Sequence, residues 1–69
     1  MTRCAVLIEK AGSNYSAYVP DLPGCVATGV TLADVQANIR AAIRFHLEGM
    51  REDGLDVPEP TTVVEEVEV

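Results

Sequence analysis

The fold of this chain is organised by the stretch Val19-Pro20-Asp21-Leu22-Pro23-Gly24-Cys25, followed closely by Ala27-Thr28-Gly29-Val30-Thr31. Each proline fixes its own φ and lacks an N–H donor, whereas Gly24 and Gly29 permit backbone conformations that other residues resist. A connection with this composition is rigid. We therefore expect residues 19–25 to be either a structural corner between two elements or a surface shaped for a partner.

Two strand-like segments precede this connection. Residues 3–10 contain the continuous apolar run Cys4–Ile8, which is typical of a strand covered on both faces, so we predict a central strand here. Residues 11–14 are turn-rich and lead into the β-forming segment Tyr15–Val19, which predicts a hairpin. Tyr15 and Tyr18 have opposite parity in that strand, so we expect one of them to face solvent or a partner.

A third strand and a helix follow the connection. Residues 25–28 have room for a short strand before Gly29, which predicts a three-stranded meander. Thr31 is the predicted N-cap of a helix, with Asp34 in its first turn, and Gly54 is its predicted C-terminal stop. Apolar residues recur at helical spacing along one face. The predicted buried stripe contains Leu32, Val35, Ile39, Ala42, Ile43, His46 and Met50.

The C-terminal segment Thr61–Val69 is β-branched, with valines interrupted by glutamates, and predicts a last strand with a protected edge. The order β-β-β-α-β predicts an α+β fold with a three-stranded antiparallel meander, one long helix and one C-terminal strand. A single helix covers only one face of such a sheet. The other side of the first strand then needs the final strand of a neighbouring copy or a back-to-back sheet, so we expect a homo-oligomer, at least a dimer.

Length and charge restrict the classes of function. The 69 residues, 1–69, predict a single domain, and a chain of this size buries only about 60% of its unfolded surface. The sequence contains five basic and eleven acidic residues, which gives a net charge of −6. This charge argues against direct nucleic-acid binding and favours electrostatic steering of the chain towards a basic protein. The sequence has no apolar stretch of the ~20 residues that would span a bilayer, and no signal-peptide pattern, so we expect a cytoplasmic protein without membrane association.

Side chains that could support chemistry are few. The single histidine and the two separated cysteines lack the paired spacing of a zinc site. We interpret Cys4 and Cys25 as small buried hydrophobic residues and His46 as a packed residue of the helix. We therefore predict no cofactor, no metal and no catalytic residue.

Three carboxylates leave a nuclease hypothesis open. Glu9, Asp21 and Asp34 could hold magnesium if they converged, although each has an ordinary structural role at a strand end, in a turn or at a helix start. This alternative is a minimal magnesium-dependent RNase H-like nuclease.

Four segments together resemble the HicB-like antitoxin family: residues 17–25, 28–31, 38–43 and 58–60. The resemblance covers nearly the entire chain. It implies a partial RNase H-like fold and a bacterial or archaeal cytoplasmic protein of a toxin–antitoxin pair, whose partner is HicA, a small basic RNA-cleaving toxin. Many family members carry a second, C-terminal DNA-binding module. These 69 residues contain no such segment, so we expect a short single-domain member and do not carry over autorepression.

The resemblance implies an inhibitor whose acidic domain is steered onto the toxin and covers its RNA-binding surface. Rigid loops lose little entropy on binding, and tyrosines offer both apolar area and a polar tip. The partner-binding hypothesis therefore comprises Tyr15, Tyr18, Asp21, Leu22, Pro23, Glu65, Glu66 and Glu68. Besides the nuclease, a stand-alone structural or ligand-sensing oligomer remains an alternative.

Overall fold

The computed structural model describes residues 3–69 and contains three strands and one helix. The elements are β1 Leu7–Ala11, β2 Asn14–Tyr18, β3 Val26–Gly29 and α1 Leu32–Glu52. Both strand pairs are antiparallel, and the sheet order is β1-β2-β3. The predicted α+β fold, with a three-stranded antiparallel meander and one long helix, is confirmed.

Short turns with specific residues connect the strands. The β1–β2 loop consists of Gly12 and Ser13, and Gly12 has φ +61°, a conformation that glycine adopts without strain. Residues 19–25 form two consecutive β-turns, closed by hydrogen bonds from the N–H of Leu22 to the carbonyl of Val19 (3.1 Å) and from that of Cys25 to the carbonyl of Leu22 (3.0 Å). The rigid corner is thus a structural feature.

Local signals determine both ends of α1. The Thr31 side chain accepts a hydrogen bond from the N–H of Asp34 at 3.1 Å, as expected for an N-cap. At the other end Gly54 has φ +72°, its N–H donates to the carbonyl of Arg51, and the N–H of Leu55 donates to that of Met50 at 2.8 Å. This pattern is a Schellman motif.

The helix packs over β3 and β2 and leaves β1 largely uncovered. The side-chain amide of Asn38 donates to the carbonyl of Thr28 in β3 at 2.8 Å. A Cβ atom added to Gly29 would lie 2.8 Å from the Cα of Val35, so the helix approaches β3 as closely as a glycine allows. This placement of α1 over one side of the sheet determines which surfaces remain open.

The buried core contains Ala17, Val19, Leu22, Cys25, Val35, Ile39 and Leu47. The predicted helix stripe needs one correction, because Leu32 is 46% exposed, whereas Leu47, which was not assigned to the stripe, is buried. Helical spacing identifies an apolar face of the helix but not how far each end of that face is covered. In the structure Val57, from the segment after the helix, also packs against the core.

The first strand is shorter and lies elsewhere in the sheet than predicted. It begins at Leu7, not at residue 3, and it is an edge strand, because it pairs with β2 on one side only. The prediction of a central strand is therefore wrong. The physical reason is that no other strand of residues 3–69 lies along the outer side of β1.

The predicted C-terminal strand is not formed: residues 55–69 contain no helix or strand. A strand requires a neighbouring backbone to pair with, and the Asp21 side chain, not β1, holds residues 61–62. The partial RNase H-like architecture is likewise not confirmed. The radius of gyration is 13.1 Å, against about 11 Å for a compact chain of this length, as expected if the C-terminal segment extends from the body.

Candidate partner-binding surfaces

The carboxylate of Asp21 attaches the C-terminal segment to the corner. It accepts hydrogen bonds from the hydroxyl groups of Thr61 (2.9 Å) and Thr62 (2.8 Å) on one oxygen. The backbone N–H groups of the same two threonines donate to the other oxygen at 3.3 and 3.4 Å. The Thr62 hydroxyl, followed by the Thr61 hydroxyl, lowers the pKa of Asp21 because both stabilise the ionised form. We call this arrangement the Asp21 clamp.

The sheet face opposite the helix presents an apolar row. Cross-strand partners share a face, and Leu7 pairs with Tyr18, which pairs with Val26. Since the neighbouring Ala17 is buried against the helix, this row faces the other way. Tyr18 is 41% and Val26 64% exposed. We call Leu7, Tyr18 and Val26, with the adjacent Glu9, Ser16 and Thr28, the open sheet face.

The two tyrosines lie on opposite faces of the sheet, as their parity predicts. Tyr15 packs against the core, and the Lys10 ammonium lies 5.9 Å from the centre of its ring. Tyr18 belongs to the open sheet face. Of the two tyrosines, only Tyr18 is therefore exposed on the open sheet face.

The corner residues divide in the same way. Pro23 is exposed, whereas Leu22 is only 2% exposed and supports the corner from beneath. Leu22 is therefore a correction to the partner-binding set, because its side chain contributes to the core. The inner side of the corner is apolar. The sequence pattern did not show that Leu22 faces the core whereas Pro23 faces solvent.

The C-terminal residues 63–69 are exposed throughout. Glu65, Glu66 and Glu68 concentrate negative charge there, between valines that also face solvent. The clamp brings residues 61–62 to the corner, but the described contacts do not bring these glutamates together with Tyr18. The structure thus places the eight predicted residues in separate regions: the two faces of the sheet, the corner and the C-terminal segment.

An apolar groove of about 360 Å³ lies between β1 and α1. It exists because the helix lies over the other two strands. Its apolar walls are Val6 and Ile8 from the β1 side and Ile39 and Ile43 from the helix, with Gln36 and Arg40 as the polar lining residues. We call it the β1–α1 groove. This groove is not predictable from the sequence, because it depends on which strands the helix covers.

Phe45 is a further surface residue that the sequence analysis missed. Its side chain is 81% exposed on α1. The available signal was its position outside the predicted apolar stripe, which places an aromatic ring on the solvent side of the helix.

The three carboxylates of the nuclease hypothesis do not converge. Glu9 pairs with Ser16 and belongs to the open sheet face, whereas Asp34 lies in the first turn of the helix on the other side of the sheet. Asp21 is engaged in the clamp. Within residues 3–69, histidine, cysteine and carboxylate side chains form no cluster of three that could hold a metal ion.

The cysteines are free thiols in apolar surroundings. Cys25 is buried, and burial, followed by the proximity of Cys4, raises the pKa of the Cys25 thiol. A raised pKa keeps the thiol protonated and unreactive at neutral pH. In the part of the chain that the structure describes, no helix is long and apolar enough to span a membrane.

Comparisons with known proteins agree on one family. The model of the HicB-like antitoxin of bacterial toxin–antitoxin systems matches residues 4–68. In the solved HicA3 and HicB3 toxin–antitoxin complex, one chain is similar to this chain with a TM-score of 0.69 and 31% identity, over 84% of this chain and 67% of that one.

Curated relatives come from a phage and two microbial species. An uncharacterised 14.9 kDa protein of Haemophilus phage HP1 is 41% identical over 84% of this chain, which spans only 44% of the phage protein's length. A UPF0150 protein of Helicobacter pylori is 39% identical, covering 71% of this chain and 68% of its own length. A UPF0150 protein of Thermoplasma acidophilum is 29% identical, with 84% of each chain covered.

Proposed function

Because this chain belongs to the HicB-like antitoxin family of bacterial toxin–antitoxin systems, we propose that it binds a small basic RNA-cleaving toxin of HicA type and inhibits it sterically. The observation that carries this proposal is the similarity, with a TM-score of 0.69, to a chain of a toxin–antitoxin complex. The proposed role is that of a binding protein, not an enzyme, acting as a single domain in the cytoplasm.

The proposed contact surface combines the open sheet face, the exposed Pro23 at the corner and the acidic C-terminal segment. Tyr18 is its proposed anchor, since an aromatic ring beside Val26 on an uncovered sheet offers apolar area without reorganisation of the core. Asp21 contributes indirectly, because it holds the C-terminal segment at the corner.

Charge supports the same proposal. The net charge of −6 produces a field that steers a basic protein towards this one, and Glu65, Glu66 and Glu68 are exposed at the C-terminal end. A bound antitoxin would then occupy the toxin surface that otherwise contacts RNA phosphates. Inhibition of this kind requires no chemistry from the antitoxin.

The test is a titration of the purified chain into an RNA-cleavage assay with a HicA-type toxin from the same source, with and without magnesium. We expect stoichiometric loss of cleavage in both conditions. Unchanged cleavage in the presence of folded chain would contradict inhibition of that toxin. Magnesium-dependent cleavage by the chain alone would favour the nuclease alternative, which the separated carboxylates do not support.

A further inference from the structure

The open sheet face consists of two neighbouring rows of different chemistry. The first row is apolar and contains the cross-strand neighbours Leu7, Tyr18 and Val26. The next row along the same face is polar and contains the cross-strand neighbours Glu9, Ser16 and Thr28. We call the second set the polar row, and all three of its residues are exposed. A side chain with an apolar stem and a hydrogen-bonding head can therefore contact both rows at once.

The polar row offers hydrogen-bond acceptors and one negative charge. The ionised carboxylate of Glu9 only accepts hydrogen bonds, and the hydroxyl groups of Ser16 and Thr28 can accept them as well. The side-chain hydrogen bonds within residues 3–69 involve none of these three side chains. The row is therefore open to a donor from outside the chain.

The strands contribute no positive charge to this face. Their one basic residue, Lys10, pairs with Tyr15 on the opposite face of the sheet. There the Lys10 ammonium lies 5.9 Å from the centre of the Tyr15 ring, an arrangement in which an aromatic ring attracts a cation. The open sheet face has the corresponding ring, Tyr18, and in addition the carboxylate of Glu9, which no basic residue of the strands neutralises.

An arginine side chain has the matching shape and chemistry. Diagonal neighbours on antiparallel strands are about 7–8 Å apart, so one long side chain reaches from Tyr18 to Glu9. Arginine packs its methylene stem along apolar surface, stacks its planar guanidinium on aromatic rings and donates two parallel hydrogen bonds to a carboxylate. Lysine carries the same charge but lacks this planar fork of donors.

We propose that the open sheet face is an arginine-binding subsite for a basic protein partner. Tyr18 contacts the side chain of the partner's arginine, Glu9 binds its guanidinium, and the hydroxyl groups of Ser16 and Thr28 accept further hydrogen bonds. The inference rests on the proposed function, because the toxin is the partner that supplies the arginine. Glu9 thereby determines which charge and shape this face accepts, a role that its position at a strand end did not indicate.

The first experiment compares two charge-removing variants in the RNA-cleavage titration with the toxin. We expect Glu9→Gln to weaken inhibition at least about tenfold, because it loses a charge-assisted hydrogen bond to the guanidinium. Glu48→Gln is the matched control at an exposed carboxylate on α1. It changes the net charge by the same amount, and with it the long-range steering, so its inhibition midpoint should stay close to that of the unchanged chain.

Failure of this inference and failure of the proposed function give different results. No inhibition by the unchanged chain would contradict the proposed function. Inhibition that Glu9→Gln and Glu48→Gln leave equally strong would overturn the arginine subsite and leave the proposed function standing.

A second measurement tests the subsite without a toxin. Nα-acetyl-arginine amide is titrated into the isotope-labelled chain, and the NMR amide shifts are compared with those that the corresponding lysine compound causes. We expect the arginine compound to shift the amides of Ser16, Tyr18 and Thr28 at lower concentration than the lysine compound, and Glu9→Gln to remove this difference. Equal responses to the two compounds, or shifts confined to the C-terminal glutamates, would overturn the proposal.

Discussion

The carboxylate of Asp21 accepts a hydrogen bond from the hydroxyl of Thr62 at 2.8 Å, although the two residues are 41 positions apart in the chain. Thr61 donates to the same oxygen. The Asp21 side chain thus joins the corner after β2 to the segment after the helix, and the residues beyond 62 extend from this attachment.

Removing the charge of Asp21 should therefore release the C-terminal segment. We expect Asp21→Asn to increase protease cleavage and amide hydrogen exchange at residues 61–69, because an amide offers one acceptor where the carboxylate offers two. The core should remain intact, since the clamp lies outside it. Asp56→Asn is the matched control at an exposed aspartate, and an equal release in both variants would contradict the clamp.

The clamp should also respond to acid. The folded-state pKa of Asp21 is lowered, so its contribution to stability is present above the ordinary aspartate pKa and is lost as the pH falls through the lowered value. We expect the NMR amide shifts of Thr61 and Thr62 to change together at that lower pH. The prediction is wrong if the Thr61 and Thr62 amide shifts change at or above the pKa of an ordinary aspartate. It is also wrong if the same change occurs in Asp21→Asn, which has no carboxyl group to titrate at this position.

Gly29 should tolerate no side chain. A Cβ atom there would lie 2.8 Å from the Cα of Val35 and closer still to its backbone nitrogen. We expect Gly29→Ala to lower the free energy of unfolding by about 1–3 kcal/mol through overpacking. Gly49→Ala is the control within the helix, where the added Cβ would meet nothing within 4 Å apart from the neighbouring helix backbone. It should raise the stability by about 0.5–1 kcal/mol. Urea denaturation of both variants measures the difference, and a neutral Gly29→Ala would contradict the close approach.

Toxin binding should depend on one exposed aromatic residue and not on the other. We expect Tyr18→Ala to weaken inhibition of the toxin at least about tenfold, as for an interface anchor. Phe45→Ala removes a more exposed aromatic ring from the helix, on the other side of the sheet from Tyr18, and should leave inhibition unchanged. The inhibition midpoint in the RNA-cleavage titration compares the two. If Phe45→Ala proved the more harmful change, the contact surface would lie on the helix.

Local chemistry made several features predictable from the sequence. The cap at Thr31, the stop at Gly54 and the rigid corner of residues 19–25 depend on the side chains and φ values of neighbouring residues, so their patterns were readable in the sequence. The opposite faces of Tyr15 and Tyr18 followed from strand parity in the same way. That one of the two tyrosines faces outward was therefore predictable. Its identity as Tyr18, and its row with Leu7 and Val26, needed the strand register.

Contacts between distant segments were not predictable in this way. The sequence alone determined the order of the three-stranded meander and the helix, and both ends of the helix, because these depend on interactions within a few residues. The tertiary structure decided that α1 covers β3 and β2 but not β1, that Leu22 lies in the core, and that Asp21 holds Thr61 and Thr62 instead of a fourth strand forming. The physical reason is that pairing partners and burial depend on which surfaces meet in space, and local propensity carries no information about distance across the fold.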